Sequence, residues 1–248
     1  MSDTVIDVRN LSKMFRISRE PTHTVKEAAI RFLKRQLSYD EFWALRDVSF
    51  SIKKGESVGI IGRNGSGKST LFKLISGVLK PTSGSISVQG RISPMIELTA
   101  GFHSELTGIE NIYLNCSIYG MTRAETKRKA EKIIDFAGIG EFIYSPVRVY
   151  SSGMLARLGF AIAVNVDADI LLVDEVLAVG DGEFQRKCIY KLQQLKENDV
   201  SIVFVSHNLR TVEQVCEKSI WLNNGAMKSI GDSKKIVAEY YECAAKNK

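Results

Sequence analysis

Nine residues, GRNGSGKST from Gly62 to Thr70, constrain the fold of this chain more than any other stretch. They fit the pattern G-x-x-x-x-G-K-[ST]. They also sit between a short apolar segment, Val58 to Ile61, that reads as a strand, and a helical pattern from about Lys68 that Gly77 should end as a left-handed cap. Strand, glycine-rich turn and helix in that order make a phosphate cradle, because small residues let the backbone curl until N–H groups and the helix N-terminus point at an anion. Lys68 is expected to reach β- and γ-phosphates, and the Ser69 hydroxyl to bind Mg²⁺. Gly62, Arg63, Asn64, Gly65, Ser66, Gly67 and Thr70 complete the expected nucleotide-binding loop. A dinucleotide-binding turn is excluded, since strict G-x-G-x-x-G is absent and no acidic residue follows about 20 positions on.

The second constraint is DILLVDE. The unbroken apolar run Ile170 to Val173 suits a parallel strand covered on both faces. It delivers Asp174 and Glu175 to the carboxyl end of the sheet, where ligands of open α/β folds bind. Asp174 is expected to hold Mg²⁺, leaving Glu175 to position and activate an attacking water. A further apolar strand, SIVFVS, ends at His207.

These pieces imply an α/β P-loop NTPase with a mainly parallel sheet, an antiparallel β-region and an inserted α-helical subdomain, all in a single nucleotide-binding domain over residues 1–248. Its core is expected at 1–96 and 166–248. The opening is β-rich, with VIDVRNLSKMF near Val5 and ALRDVSFSI from Ala44. A hairpin is expected around Asn224-Gly225, and a basic helical tail from Ser233. Residues 97–165 carry two helical patterns ending at Gly120 and Gly138, the second opened by a Thr122–Glu125 capping box.

An amphipathic basic insert is expected at 20–42. Within it Thr24 and Glu27 form a capping box, Val25, Ala28, Ala29, Phe32 and Leu33 follow at helical spacing, and Lys26, Arg31, Lys34 and Arg35 fall mostly on the opposite face. The helix should run from about Val25 to Leu37.

Charge narrows the class. The net charge of +6 is concentrated: nine basic and four acidic residues lie between residues 9 and 46, so the basicity is one docking face rather than the broad surface that nucleic acid requires. Cys116, Cys188, Cys216 and Cys243 show no zinc or disulfide spacing and read as thiols in a reducing compartment. No apolar run approaches the roughly 20 residues that span a bilayer, and the first residues, with Asp3 and Asp7, do not read as a secretory signal. A cytosolic chain is expected.

Taken with YSSGM (Tyr150 to Met154) and His207, the phosphate loop and DILLVDE resemble the nucleotide-binding subunit of ABC transporters, over nearly the whole chain. The resemblance implies an ATPase that works as a head-to-tail homodimer with two ATP molecules at its interface and drives a separate transmembrane permease, also in two copies. Ser151 and Gly153 match the signature serine and second glycine, which are offered to the γ-phosphate of the ATP held by the other subunit. His207 matches the family's switch histidine, and Asp181 in AVGD sits at its inter-subunit Asp loop. Phe15 in LSKMF best matches the aromatic that stacks on adenine, with Phe42 and Trp43 as competitors that otherwise read as core aromatics.

Departures from the family pattern point to a subgroup. The usual L-S-G-G-Q is Y-S-S-G-M here, and the glutamine loop has no glutamine, leaving Glu97 as the polar candidate for its contact with Mg²⁺ and water. With DEVLAVGD and the insert before FWALRDVSF, these features resemble the ATPase subunits of bacterial polysaccharide exporters for O-antigen, capsule or teichoic acid, O-antigen first. Some members carry an additional carbohydrate-binding domain, which is not expected within these 248 residues.

That resemblance implies ATP and Mg²⁺ as ligands, a lipid-linked polysaccharide as the cargo of the complex, and a peripheral position on the cytoplasmic face of the cell membrane. The alternative of a nucleic-acid-associated ABC-type ATPase lacks its long heptad runs or zinc modules, so no nucleic-acid partner is expected. An ATP-binding module without turnover is opposed by Glu175 and His207.

Overall fold

The computed structural model describes residues 3–18, 39–95, 101–174 and 181–246. Two sheets organise it. The first is antiparallel, in the order β2-β1-β4, from β1 (Thr4–Ser18), β2 (Tyr39–Lys53) and β4 (Ser83–Val88). The second has the order β5-β6-β7-β3-β8-β9, from β3 (Ser57–Ile61), β5 (Ile92–Met95), β6 (Ile170–Val173), β7 (Ser201–Val205), β8 (Lys218–Asn223) and β9 (Ala226–Asp232). Its first five strands are parallel, and β9 closes it as an antiparallel hairpin with β8. Asn224 and Gly225 turn that hairpin with φ of 48° and 79°, the left-handed pair that a two-residue turn of this kind needs.

The period of two along each central strand separates two cores. Val58 and Ile60, Ile170 and Leu172, Val203 and Val205, and Ile220 and Leu222 pack toward the antiparallel sheet and α1 (Lys68–Ile75). Ile61, Leu171, Val173, Ile202, Phe204 and Trp221 face the other way. There they meet α4 (Ser152–Ala163), α5 (Gly182–Glu197), α6 (Leu209–Val215) and α7 (Ser233–Lys246). Both faces of the sheet are covered, which is why its strands read as unbroken apolar runs. A third core, including Ile112, Ile133, Ile143, Leu158 and Ile162, lies among α2 (Gly108–Ile118), α3 (Arg123–Ala137), α4 and two short 3-10 turns.

Helix ends follow the sequence signals. Thr122 and Glu125 exchange both capping-box bonds at the start of α3, and Gly138 ends that helix at φ 59°. A second box, Thr107 with Glu110, opens α2 and was missed in the sequence reading. The strands β4 and β5 were also missed. Both are edge strands, one of them Gly- and Ser-rich and the other containing Pro94, which an edge tolerates because no ladder bond is needed on its open side.

The opening hairpin differs from expectation. β1 and β2 stay paired through Phe15↔Phe42, Arg16↔Glu41 and Ser18↔Tyr39, so Tyr39 to Phe42 belong to β2 and not to the expected insert at 20–42. Cross-strand aromatic and opposite-charge pairs favour this extension. Phe42 is 49% exposed, which corrects its reading as a core aromatic, and Trp43 is half-buried with Arg46 5.8 Å from its ring centroid. The expected helix from Val25 to Leu37 lies outside the described residues.

Of the cysteines, Cys116, Cys188 and Cys216 are buried. Burial pushes the Cys188 thiol up to about 12 and Cys216 higher still. Among the described residues, no helix is long and apolar enough to cross a membrane.

Candidate functional site

The loop after β3 is shaped by close approaches that only glycine permits. At Gly62 (φ 153°) a Cβ would come within 2.3 Å of the Leu222 carbonyl, and at Gly67 (φ 103°) within 2.6 Å of the Ala44 carbonyl. Gly67 begins α1 in the left-handed region without a side-chain cap, so no side-chain oxygen competes for the first N–H groups of that helix. Ser66 is 3% exposed, and its hydroxyl has no hydrogen-bond partner among the described residues. Lys68 is 6% exposed, and its Nζ donates to the carbonyls of Gly62 (2.8 Å) and Arg63 (3.1 Å), folding the ammonium over the loop. Arg63, Asn64, Gly65 and Ser69 are exposed, and Thr70 is half-buried. An orphaned buried hydroxyl, an uncapped helix start and an ammonium held over a concave backbone fit a polyphosphate.

Strand register brings the remaining core residues to the same edge. Val173 is abreast of Phe204, and Phe204 of Gly59. Half-buried Asp174, buried Ser206 and half-buried Gly62 therefore leave the sheet at one end, as expected for ligands of a parallel α/β sheet. The Ser69 hydroxyl and the Asp174 carboxylate are hard oxygen donors of the kind Mg²⁺ selects.

His207 follows directly, exposed, with Asn208 capping α6 by accepting the Thr211 N–H at 3.4 Å. A cleft of about 360 Å³ joins Gly62, Arg63 and Asn64 to Ser206, His207, Leu209 and Tyr240. Tyr240 was missed: it comes from α7 and is held edge-on against Trp221 at 5.4 Å between centroids. Its place is set by helix packing, for which the local sequence carries no signal.

Ser151, Gly153, Asp181 and Phe15 are among the expected site residues that do not line that cleft. Ser151 caps α4, accepting the Met154 N–H at 3.2 Å, and is exposed. At Gly153 an added Cβ would meet only Ser151 Oγ, at 3.8 Å, so packing within the chain does not demand glycine there. Tyr150, in place of the usual leucine, is 8% exposed and donates its hydroxyl to the Phe142 carbonyl at 2.6 Å, anchoring this turn to the helical layer. Asp181 caps α5 through the Phe184 N–H at 2.9 Å and pairs with Arg157 at 2.7 Å. The Phe184 N–H, followed by the nearby Arg157, holds its carboxyl below the usual range. Phe15 is half-buried on β1, with Lys13 Nζ 5.2 Å from its ring centroid. Glu175 and Glu97 lie outside the described residues.

Residues 45–178 match the family described as ABC transporter. The chain is 44% identical, over 98% of its length and all of the relative's, to an O-antigen export system ATP-binding protein of Klebsiella pneumoniae. It is 42% identical, over 96% of its length and 42% of the relative's, to a teichoic acids export ATP-binding protein of Bacillus anthracis. Its fold is similar to a dimeric ATP-binding cassette solved in a post-hydrolysis state with ADP and Pi, with a TM-score of 0.74 at 22% identity, covering 92% of this chain and 98% of that one. A family match across the phosphate loop and DILLVDE, joined to end-to-end identity with a named relative, places the chain in the ABC transporter family, whose ATP-hydrolysing cassette this fold is.

Proposed function

We propose that this chain is the ATP-hydrolysing motor of an exporter that moves a lipid-linked polysaccharide, O-antigen first, across the cytoplasmic membrane. The observation that carries the reading is the 44% identity to the Klebsiella O-antigen export protein, which runs through both chains almost end to end. A second O-antigen relative is 50% identical over 83% of the chain, whereas the teichoic acid relatives reach 41–43%. This order favours O-antigen over teichoic acid as cargo.

In this reading the α1 N-terminus, the loop N–H groups and Lys68 bind and orient the β- and γ-phosphates. Ser69 and Asp174 hold Mg²⁺, which when bound neutralises charge on the transferred phosphoryl group. Glu175 activates the attacking water, and His207 closes the cleft on the γ-phosphate side. Phe15 is the leading candidate for the adenine platform, and Glu97 for the contact that a glutamine makes elsewhere in the family. Ser151, Gly153 and Asp181, outside their own chain's cleft, serve the ATP of a second copy. Two copies work with two copies of a permease at the cytoplasmic face, and no nucleic acid takes part.

The test is co-purification from detergent-solubilised membranes, followed by surface-polysaccharide assay in a strain carrying only the Lys68→Ala form. A co-purified permease, with export lost in that strain, is the expected result. Recovery without any membrane protein, or normal export with Lys68→Ala, would overturn the reading.

A further inference from the structure

The C-terminal helix α7 reaches the cleft of the phosphate loop through one aromatic ring. β8 runs beside β3 with Trp221 abreast of Ile61, the last residue before Gly62. Trp221 is 5% exposed, and Tyr240 meets it edge-on, with 5.4 Å between centroids and 66° between the ring planes. Tyr240 is therefore held at the end of the sheet where the phosphate loop leaves it. There it walls the cleft of about 360 Å³ together with Arg63, Asn64, Ser206, His207 and Leu209.

The helix that carries this ring is firmly seated. Buried Ser233, at its start, shares a 2.8 Å hydrogen bond with buried Ser219 of β8. Ile236 and Val237 are buried in the main core, and Tyr240 and Cys243 follow at helical spacing against the same core. Lys228 of β9 donates to Cys243 Sγ at 3.2 Å, and its ammonium sits 3.8 Å from the centroid of the Trp221 ring. A half-buried tyrosine on such a helix, packed on an aromatic neighbour, has little freedom to swing out of the cleft.

His207 enters the same cleft from a rigid turn. The buried Ser206 hydroxyl accepts the Asn208 N–H at 3.0 Å, and Leu209 is buried. The helix that starts there, α6, lies directly on β3, since a Cβ on Gly59 would come within 2.5 Å of Val212. These contacts fix the backbone of His207. They do not by themselves choose the rotamer of its exposed side chain, which depends on what bounds the space around it.

We propose that Tyr240 is a positioning residue whose ring stands against the His207 imidazole and keeps it turned toward the γ-phosphate end of the phosphate loop. The inference rests on the role given to His207 above. It makes the C-terminal helix a determinant of turnover. Lys68 and the loop N–H groups bind nucleotide without help from Tyr240, whereas the hydrolytic step depends on it.

The experiment is a double-mutant cycle on the purified full chain, at protein concentrations where turnover is proportional to protein. Release of labelled phosphate gives kcat and KM for ATP even when turnover is slow. Tyr240→Leu should lower kcat on the order of tenfold to a hundredfold, the scale on which a displacement of about 1 Å acts, and leave KM within about threefold. Tyr240→Phe, which keeps the ring, should restore kcat to within about threefold of wild type. In a His207→Ala background, Tyr240→Leu should cost less than about a further twofold, because residues that act as a unit are not additive. A ring that only packs the helix would cost the same factor in both backgrounds. A second measurement needs no variant at position 240. The chain has three histidines, so the histidine spectrum is simple, and His207→Gln assigns the signal of interest. A nuclear Overhauser contact between the His207 and Tyr240 rings is expected in the wild-type protein.

Wild-type kcat in Tyr240→Leu, an equal loss in both backgrounds, a raised KM with unchanged kcat, or no contact between the two rings would each overturn the proposal. If His207→Ala lowers turnover while any of these holds, only the role of Tyr240 is wrong. If His207→Ala itself turns over ATP at the wild-type rate, the reading of His207 fails first and the proposal falls with it.

Discussion

Replacing Ser66 by alanine should stabilise the ligand-free protein while weakening its hold on nucleotide. The hydroxyl is 3% exposed and without a hydrogen-bond partner among the described residues. A buried polar group left in that state costs about 1–3 kcal/mol. Alanine removes the group and keeps the Cβ, so the cavity created is no larger than one hydroxyl. At the lower end, about 1 kcal/mol, the unfolding midpoint should rise by about 2–4 °C for a chain of this size.

With nucleotide the sign reverses, because a hydrogen bond to a charged group is worth about 1.5–3 kcal/mol and affinity should fall at least about tenfold. At ADP equal to 100 times the wild-type Kd, ligand stabilisation of about 2.7 kcal/mol should shrink to about 1.4 kcal/mol. Thermal unfolding with and without ADP measures both effects. A midpoint that falls in the ligand-free variant, or an ADP-induced shift equal to wild type, would refute the assignment of this hydroxyl to the phosphates.

Three further outcomes are expected. Glu175→Gln should retain ATP binding and lose turnover by about 10²–10⁴-fold, with an ATP-held dimer accumulating on gel filtration; more than about a tenth of wild-type turnover would remove Glu175 from the role of general base. Combining Arg31→Glu, Lys34→Glu and Arg35→Glu should leave the purified ATPase rate unchanged while surface polysaccharide is lost, because basic side chains near an anionic leaflet contribute about 1 kcal/mol each and the nucleotide site uses none of them. Normal export would return the segment to a packing role. Finally, hydrogen bonds from Thr107 and Thr122 hold the Glu110 and Glu125 carboxyls below their ordinary range, so their stabilisation is complete above the unfolded value and fades as pH falls through the lowered folded one. The stability advantage of wild type over Thr122→Ala should be constant from about pH 6 to 8 and should narrow on acidification, as Glu125 is protonated and the bond from the Thr122 hydroxyl to its carboxylate is lost, while the bond from the Glu125 N–H to that hydroxyl remains; a gap that widens on acidification would contradict the capping account.

What was legible in the sequence was whatever chemistry or covering ties to residue type at fixed spacing. GRNGSGKST could be read because a phosphate cradle needs glycine where a Cβ would strike the Leu222 or Ala44 carbonyl. Ile170 to Val173 could be read because both faces of β6 are buried. Thr122 and Gly138 marked α3 because caps are local. Edge strands β4 and β5 were hidden because an edge accepts the Gly, Ser and Pro that a strand reading rejects. The start of β2 was hidden because pairing with β1, not local pattern, holds Tyr39 to Phe42 extended. Tyr240 in the cleft and Arg157 against Asp181 are products of tertiary packing between elements far apart in sequence, and neither leaves a spacing signal.

In the proposed mechanism, two copies of this chain complete each other's ATP sites. Its most direct test is the turnover rate of the purified wild-type protein against its own concentration, at saturating ATP and Mg²⁺. The rate should rise faster than linearly at low concentration, approaching the square of protein concentration before becoming proportional once dimers dominate. Strict proportionality down to the lowest measurable concentration, in protein shown to be monomeric there, would contradict it.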